Sequence, residues 1–114
     1  PERLPNDFLR LNLLAGADLH FEPVDPELFP AVAMAYHAGR TGGSLPAAFN
    51  AANEEAVNGL QTGKLRFVDI SGIVSTVMGY HQSEGFAKDP DLDEILAVDL
   101  WARRVANKLI MKGR

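Results

Sequence analysis

The sequence predicts an all-α fold, a four-helix bundle-like domain preceded by an extended N-terminal arm. Three observations carry this. Apolar residues recur at helical spacing in successive stretches from Leu45 to Leu109. Glycine- and proline-bearing breaks divide those stretches. Strict period-two alternation is confined to residues 1–24.

Composition narrows the class. A chain of 114 residues makes one domain, long enough to bury roughly two-thirds of the surface its unfolded form exposes. Hydrophobic residues at 46% and charged residues at 23% are ordinary for a globular protein and argue against disorder. The net charge of −4 argues against nucleic acid, which demands a cationic face. With no cysteine there is neither a disulfide framework nor a thiolate metal site, as suits a reducing compartment. No apolar run reaches the ~20 residues of a membrane span, and Pro1 to Asp7 hold no signal-peptide core. The start at Pro1, without Met, reads as a piece of a longer protein.

In the arm, residues 1–24, Leu9, Leu11 and Leu13 alternate with Arg10 and Asn12, and Leu19 and Phe21 with His20 and Glu22. Each piece is an extended segment with one apolar face. The pieces could pair around Gly16, but an isolated hairpin is marginal, so the arm is expected to lie against something else. Residues 25–114 form the bundle domain. Asp25-Pro26 gives a cap and a first-turn proline. Pro30 forces a loose turn before a helix through Val32, Ala35, Tyr36 and Ala38. Gly39 to Gly43 end it.

The second helix starts at Ser44 to Pro46 and runs to about Gln61. At about 100° per residue it aligns Leu45, Phe49, Ala52, Ala56 and Leu60, with Gly63 as the stop. The third follows the helical template through Ile70, Ile73, Val74, Val77 and Met78, capped by Asp69 or Ser71. His81 to Pro90 reads as a loop. The last helix opens on Asp91-Leu92-Asp93-Glu94, a capping box with Asp at its head, and runs to about Met111. Its seam is Ile95, Val98, Ala102, Val105 and Leu109, with Trp101 on one flank and Leu92 and Ile110 on the other. A sector that wide needs two neighbours.

Few residues suggest chemistry. Asn53 falls in the apolar sector of the second helix. Such an amide needs partners and is expected to pin the Arg66 to Asp69 backbone, with Asn50 helping; ligand contact is the alternative. Asp99 and Arg103 also lie within an apolar sector, acid before base at i and i+4, and read as a mutually satisfied pair. His37 is placed on an exposed face, and His81 near a helix end where a cation suits the dipole. With His20 they form no zinc spacing. Glu54 and Glu55 are placed on the solvent side. Asp89, Asp91, Asp93 and Glu94 lack the EF-hand glycine and closing glutamate, so capping explains them. Gly42-Gly43-Ser44 resembles a small anion nest, from which Pro46 removes a donor. The aromatic residues (Phe8, Phe21, Phe29, Phe49, Phe67, Phe86, Tyr36, Tyr80, Trp101) are placed mostly in core-like positions. No nucleophile–base pair is visible.

Several blocks, in order, resemble the 1-deoxy-D-xylulose 5-phosphate reductoisomerase family, in its C-terminal domain. They are Pro1-Glu2-Arg3-Leu4-Pro5, Leu19-His20-Phe21-Glu22-Pro23-Val24-Asp25, Phe29-Pro30 with Ala35-Tyr36-His37-Ala38-Gly39, Leu45 to Glu54, Arg66-Phe67-Val68-Asp69-Ile70, and Glu94 to Arg103. The loop Gln82 to Asp89 departs from the pattern. The resemblance implies an isoprenoid-precursor enzyme that rearranges deoxyxylulose phosphate and reduces it to 2-C-methyl-D-erythritol 4-phosphate. It implies NADPH and a divalent cation (Mg or Mn), both held by domains upstream of Pro1. On that basis no residue here is assigned a catalytic, cofactor-binding or metal-binding role, and the chain alone is expected to be inactive. Its implied partners are the missing NADPH-binding and catalytic domains, with a homodimer possible and neither nucleic acid nor membrane; its implied setting is the cytoplasm, or a plastid in a eukaryote. Two other readings stand beside this one: a partner-binding module that self-associates through its arm, and, last, a hydrolase built on Asp99 or a histidine.

Overall fold

The computed structural model describes residues 12, 14–16 and 18–112. They hold four helices, α1 (Pro30–Thr41), α2 (Leu45–Gln61), α3 (Ile70–Glu84) and α4 (Leu92–Lys112), and no strand. The all-helical, bundle-like expectation holds. Leu9, Leu11, Leu13 and Phe8 lie outside the described residues, and so does any pairing they make. The Ala15 N–H donates to the Asn12 carbonyl at 3.1 Å, forming a turn before Gly16. Residues 18–24 are neither helix nor strand. His20 and Glu22 meet at 3.6 Å, as i and i+2 residues on one face of an extended chain do. Leu19 and Phe21 stand 77% and 86% exposed.

The loose turn before α1 has a definite cause. The Asp25 Oδ1 accepts from the Glu27 and Leu28 N–H groups at 2.8 and 3.3 Å, and the Phe29 N–H closes onto the Asp25 carbonyl at 2.9 Å. That self-capped turn ends where Pro30, which needs no N–H partner, opens α1. Among α1 residues only Ala38 is fully buried, and Val32 and Tyr36 remain exposed. Gly42 and Gly43, both at positive φ, turn the chain into α2.

Helix α2 is the spine and packs against all three other helices. Leu45, Ala52 and Ala56 of the expected stripe are buried, but so are Ala48, Ala51 and Gly59, while Phe49 and Leu60 sit at the margin. The buried band is wider than one stripe because α3 and α4 cover α2 from different sides. Its small side chains let them come close: a Cβ on Gly59 would sit 3.3 Å from the Ile110 Cδ1. A Schellman motif stops the helix at Gly63, with Lys64 N–H to Gly59 carbonyl at 2.8 Å and Gly63 N–H to Leu60 carbonyl at 3.0 Å.

Two end assignments differ from expectation. Asp69 occupies the position before α3, yet neither it nor Ser71 caps the helix. The Arg66 guanidinium holds both Asp69 carboxylate oxygens at 2.7 Å, and a 3-10 turn over Phe67–Asp69 leads straight into α3. Helix α3 also runs on to Glu84, four residues into the expected loop. The capping box of α4 is reciprocal, as expected: Glu94 N–H to Asp91 Oδ1 and Asp91 N–H to Glu94 Oε2, both 2.9 Å.

The aromatic residues depart most from expectation. Phe49 and Trp101 pack on the core, but Phe21, Phe29, Phe67, Phe86, Tyr36 and Tyr80 are exposed. Alanines fill the α2 seam, leaving no room there for large rings.

Candidate functional site

Three constellations concentrate the chain's polar and apolar chemistry. The first is centred on Arg103 of α4. Its guanidinium binds Asp99 one turn back at 2.8 and 3.1 Å, and crosses to α2 to bind Glu54 at 2.7 Å and Glu55 at 3.2 Å. Asn107 donates to Glu55 at 2.8 Å and Asn50 to Glu54 at 3.0 Å. The Asp99–Arg103 pair was legible in the sequence. The solvent-side placement of Glu55 is corrected: its side chain is only 17% exposed and faces α4. Glu54 is half exposed and reaches the same guanidinium. These bonds, Asp99 first and then Glu54, raise the Arg103 pKa further, and Arg103 together with Asn50 holds the Glu54 carboxyl below its usual range. Every arm of the guanidinium is engaged within the chain, so the cluster is a cross-helix clamp.

The second constellation is buried. Ser44 Oγ lies 2.7 Å from His81 Nε2, donates to the Ala87 carbonyl at 3.2 Å and accepts from the Ala87 N–H at 3.0 Å. The Ser44 N–H also donates to the Ala87 carbonyl at 2.9 Å. His81 therefore sits at 1% exposure, which corrects its placement as a cation at the α3 end. Its ring tilts against Trp101, 5.4 Å between centroids, and burial pushes its pKa down, favouring the neutral imidazole. A Ser–His contact this short suits a nucleophile and its base, but Ser44 is 0% exposed and its hydroxyl is fully used. The nest-like turn at Gly42-Gly43-Ser44, already disfavoured as an anion site by Pro46, is likewise filled by the chain's own Ala87. Gly43, at φ +56, has the Ala87 and Lys88 carbonyls where a Cβ would be.

The third is an open apolar groove of about 510 Å³ between the start of α1, the middle of α2 and the 3-10 turn. Leu28, Phe29, Val32, Phe67 and Val68 line it with Asn53. Asn53 does not pin the Arg66 to Asp69 backbone. No described residue hydrogen-bonds its side chain, and among the described residues no fully buried side-chain nitrogen or oxygen lacks a partner, so its amide opens toward the groove it lines. The Arg66–Asp69 fork holds the turn in its place, keeping the Asp69 carboxyl below its usual range. Asn50 lies on the outer face with Glu54.

The remaining candidates resolve simply. Asp91 and Glu94 cap α4, His37 touches Gln82 at 3.4 Å on an exposed face, and His20 pairs with Glu22. Among the described residues no group of three or more His, Asp or Glu side chains could hold a metal ion, and no helix is long and apolar enough to cross a membrane.

Fold and site together define, among the described residues, an all-helical bundle domain with an open apolar groove on one face. Residues 1–105 match the family model of the DXP reductoisomerase C-terminal domain. The chain is 43% identical over 110 residues to a 1-deoxy-D-xylulose 5-phosphate reductoisomerase of Acetivibrio thermocellus, covering 96% of the chain and 28% of that relative. It is 45% identical over 115 residues to one from Bacillus cereus, covering 100% of the chain and 29% of that relative. A Prochlorococcus marinus reductoisomerase is 39% identical over 113 residues, 99% of the chain and 27% of the relative. The chain belongs to the DXP reductoisomerase C-terminal domain family, and spans little more than a quarter of these relatives' length.

Proposed function

We propose that this chain is the C-terminal structural domain of a 1-deoxy-D-xylulose 5-phosphate reductoisomerase. The whole enzyme would isomerise and reduce its substrate with NADPH and a divalent cation in the cytoplasm. This domain would buttress the catalytic part, with residues 1–24 spanning between them, and would hold no catalytic, cofactor or metal residue. One observation carries the reading: the most heavily bonded polar groups that cross between elements, Arg103, Ser44 and His81, are each consumed in joining one part of the bundle to another. Calorimetric titration of the chain with NADPH, and separately with Mn²⁺, is expected to give no saturable heat. Saturable binding of either would overturn the claim that the domain's role is structural.

A second reading rests on the exposed Leu19 and Phe21 of the arm. In it the domain self-associates by exchanging arms between two copies. Sedimentation of the chain with and without residues 1–24 decides: a monomer in both cases removes this reading.

A further inference from the structure

Several apolar surfaces lack a partner among the described residues, and two of them gather at least three large side chains. One is the stripe Leu92, Leu96 and Leu100, spaced about one turn apart along α4. The other is the groove between α1, α2 and the 3-10 turn, where Phe67 and Val68 stand 71% and 69% exposed. We infer that the groove, not the α4 stripe, seats the preceding part of the reductoisomerase polypeptide, through apolar side chains and a backbone amide that meets Asn53. The inference rests on the structural reading proposed above and names the face that reading requires.

Three features select the groove. The matching family is a C-terminal domain, so in its full-length members the rest of the polypeptide precedes this stretch and reaches it through the arm. The arm arrives at the groove itself. Residues 18–24 run into the Asp25 turn, and the next two large side chains, Leu28 and Phe29, form the groove's lip. A body tethered there has a high effective concentration at this face and a low one at the outward side of α4.

The display of Phe67 and Val68 is also enforced. In a loop free to relax, two large apolar side chains would turn inward, since each gains roughly 1.5–3 kcal/mol on burial. Here the Schellman stop at Gly63 and the bidentate Arg66–Asp69 fork, both bonds 2.7 Å, fix the turn with those side chains outward. Finally, the groove is concave and mostly apolar, with Glu27 and Ser71 among its lining and the Asn53 amide on its wall. A primary amide offers both a donor and an acceptor, which is what a backbone peptide unit needs when it leaves water. The α4 stripe consists of three leucines, none of which can supply such a group.

The chain has no cysteine, so an introduced thiol is a clean reporter. The test replaces the matching 110 residues of the Acetivibrio thermocellus enzyme with this whole chain, and uses reductoisomerase activity to show that the chimera assembles. Val68→Cys and Leu96→Cys are placed singly in the chimera and in the free chain. Both positions are exposed in the bundle, and helicity by circular dichroism checks each free variant. Maleimide labelling rates are read peptide by peptide, which separates these thiols from any in the relative's own sequence. The expected result is that Val68→Cys labels at least about tenfold more slowly in the chimera than in the free chain. Labelling of Val68→Cys at the free-chain rate overturns the inference. If Leu96→Cys is then the protected position, the face is wrong while the buttress reading stands. If neither position is protected, the buttress reading falls with it.

Discussion

At the N-terminal end of α2, Ser44 ties α3 and the α3–α4 loop together through neutral hydrogen bonds sealed from water. About three turns further along, Glu54 and Glu55 tie the same helix to α4 through charges that solvent still reaches. The first junction is small and intolerant, because each of its groups would be stranded without the others. The second has more bonds and less at stake, since water replaces much of what any one bond supplies. Bond count is therefore a poor guide to which junction holds the bundle.

The comparison can be broken most severely at Gly43. Gly43→Ala forces a side chain to adopt positive φ against the Ala87 backbone, at an expected cost of about 3 kcal/mol, visible as a lower urea midpoint. A midpoint within error of the parent would mean that the loop is free to move away. Ser44→Ala comes next. It leaves the His81 imidazole and the Ala87 N–H without their partner, for about 2 kcal/mol in the same measurement.

Acid separates the two junctions. Burial keeps the His81 pKa in the folded state below its unfolded value. As pH drops beneath about 6.5 the unfolded chain takes up that proton first, so stability declines. The Glu54 and Asp69 carboxyls, held down by their arginines, lose their contribution progressively as pH falls from the ordinary carboxylate range through their lowered values. Thermal melts should thus show two descending steps, the upper one absent from His81→Phe. An unchanged upper step in that variant would mean another group causes it. The smallest effect belongs to Arg103→Met, at about 1 kcal/mol or less and shrinking as salt is raised. A loss as large as that of Ser44→Ala would reverse the ranking of the two junctions.

What the sequence reveals follows the same division. Several interactions spanning three or four residues are legible, namely the Asp91–Glu94 capping box, the Asp99–Arg103 pair and the Gly63 stop, although the Arg66–Asp69 fork, equally local, competes with the cap its position suggests. The Ser44–His81 contact joins residues 37 apart and the Glu55–Arg103 contact residues 48 apart, so neither leaves a local pattern. His81 was misplaced for this reason: its position near a helix end suggests a cation, and only the arrival of Trp101 and the Ala87 loop makes it a buried neutral ring. The aromatic placement failed for a related reason. Helical angles assign a side chain to a face, but whether anything covers Phe67 or Tyr36 depends on neighbours the pattern does not specify. The groove is therefore invisible in the sequence, and Asn53, which its helical angle places in an apolar sector, lines an opening instead.

The breadth of α2's buried band has a consequence for how the domain is made. Its alanines are covered by α3, which follows within about ten residues, and by α4, whose Asn107 meets Glu55 across 52 positions. As the polypeptide leaves the ribosome, α2 and α3 can meet early, but half the spine stays bare until the final helix emerges. The domain's solubility during synthesis then depends on how quickly its last twenty or so residues close over an alanine surface that no earlier part of the bundle protects.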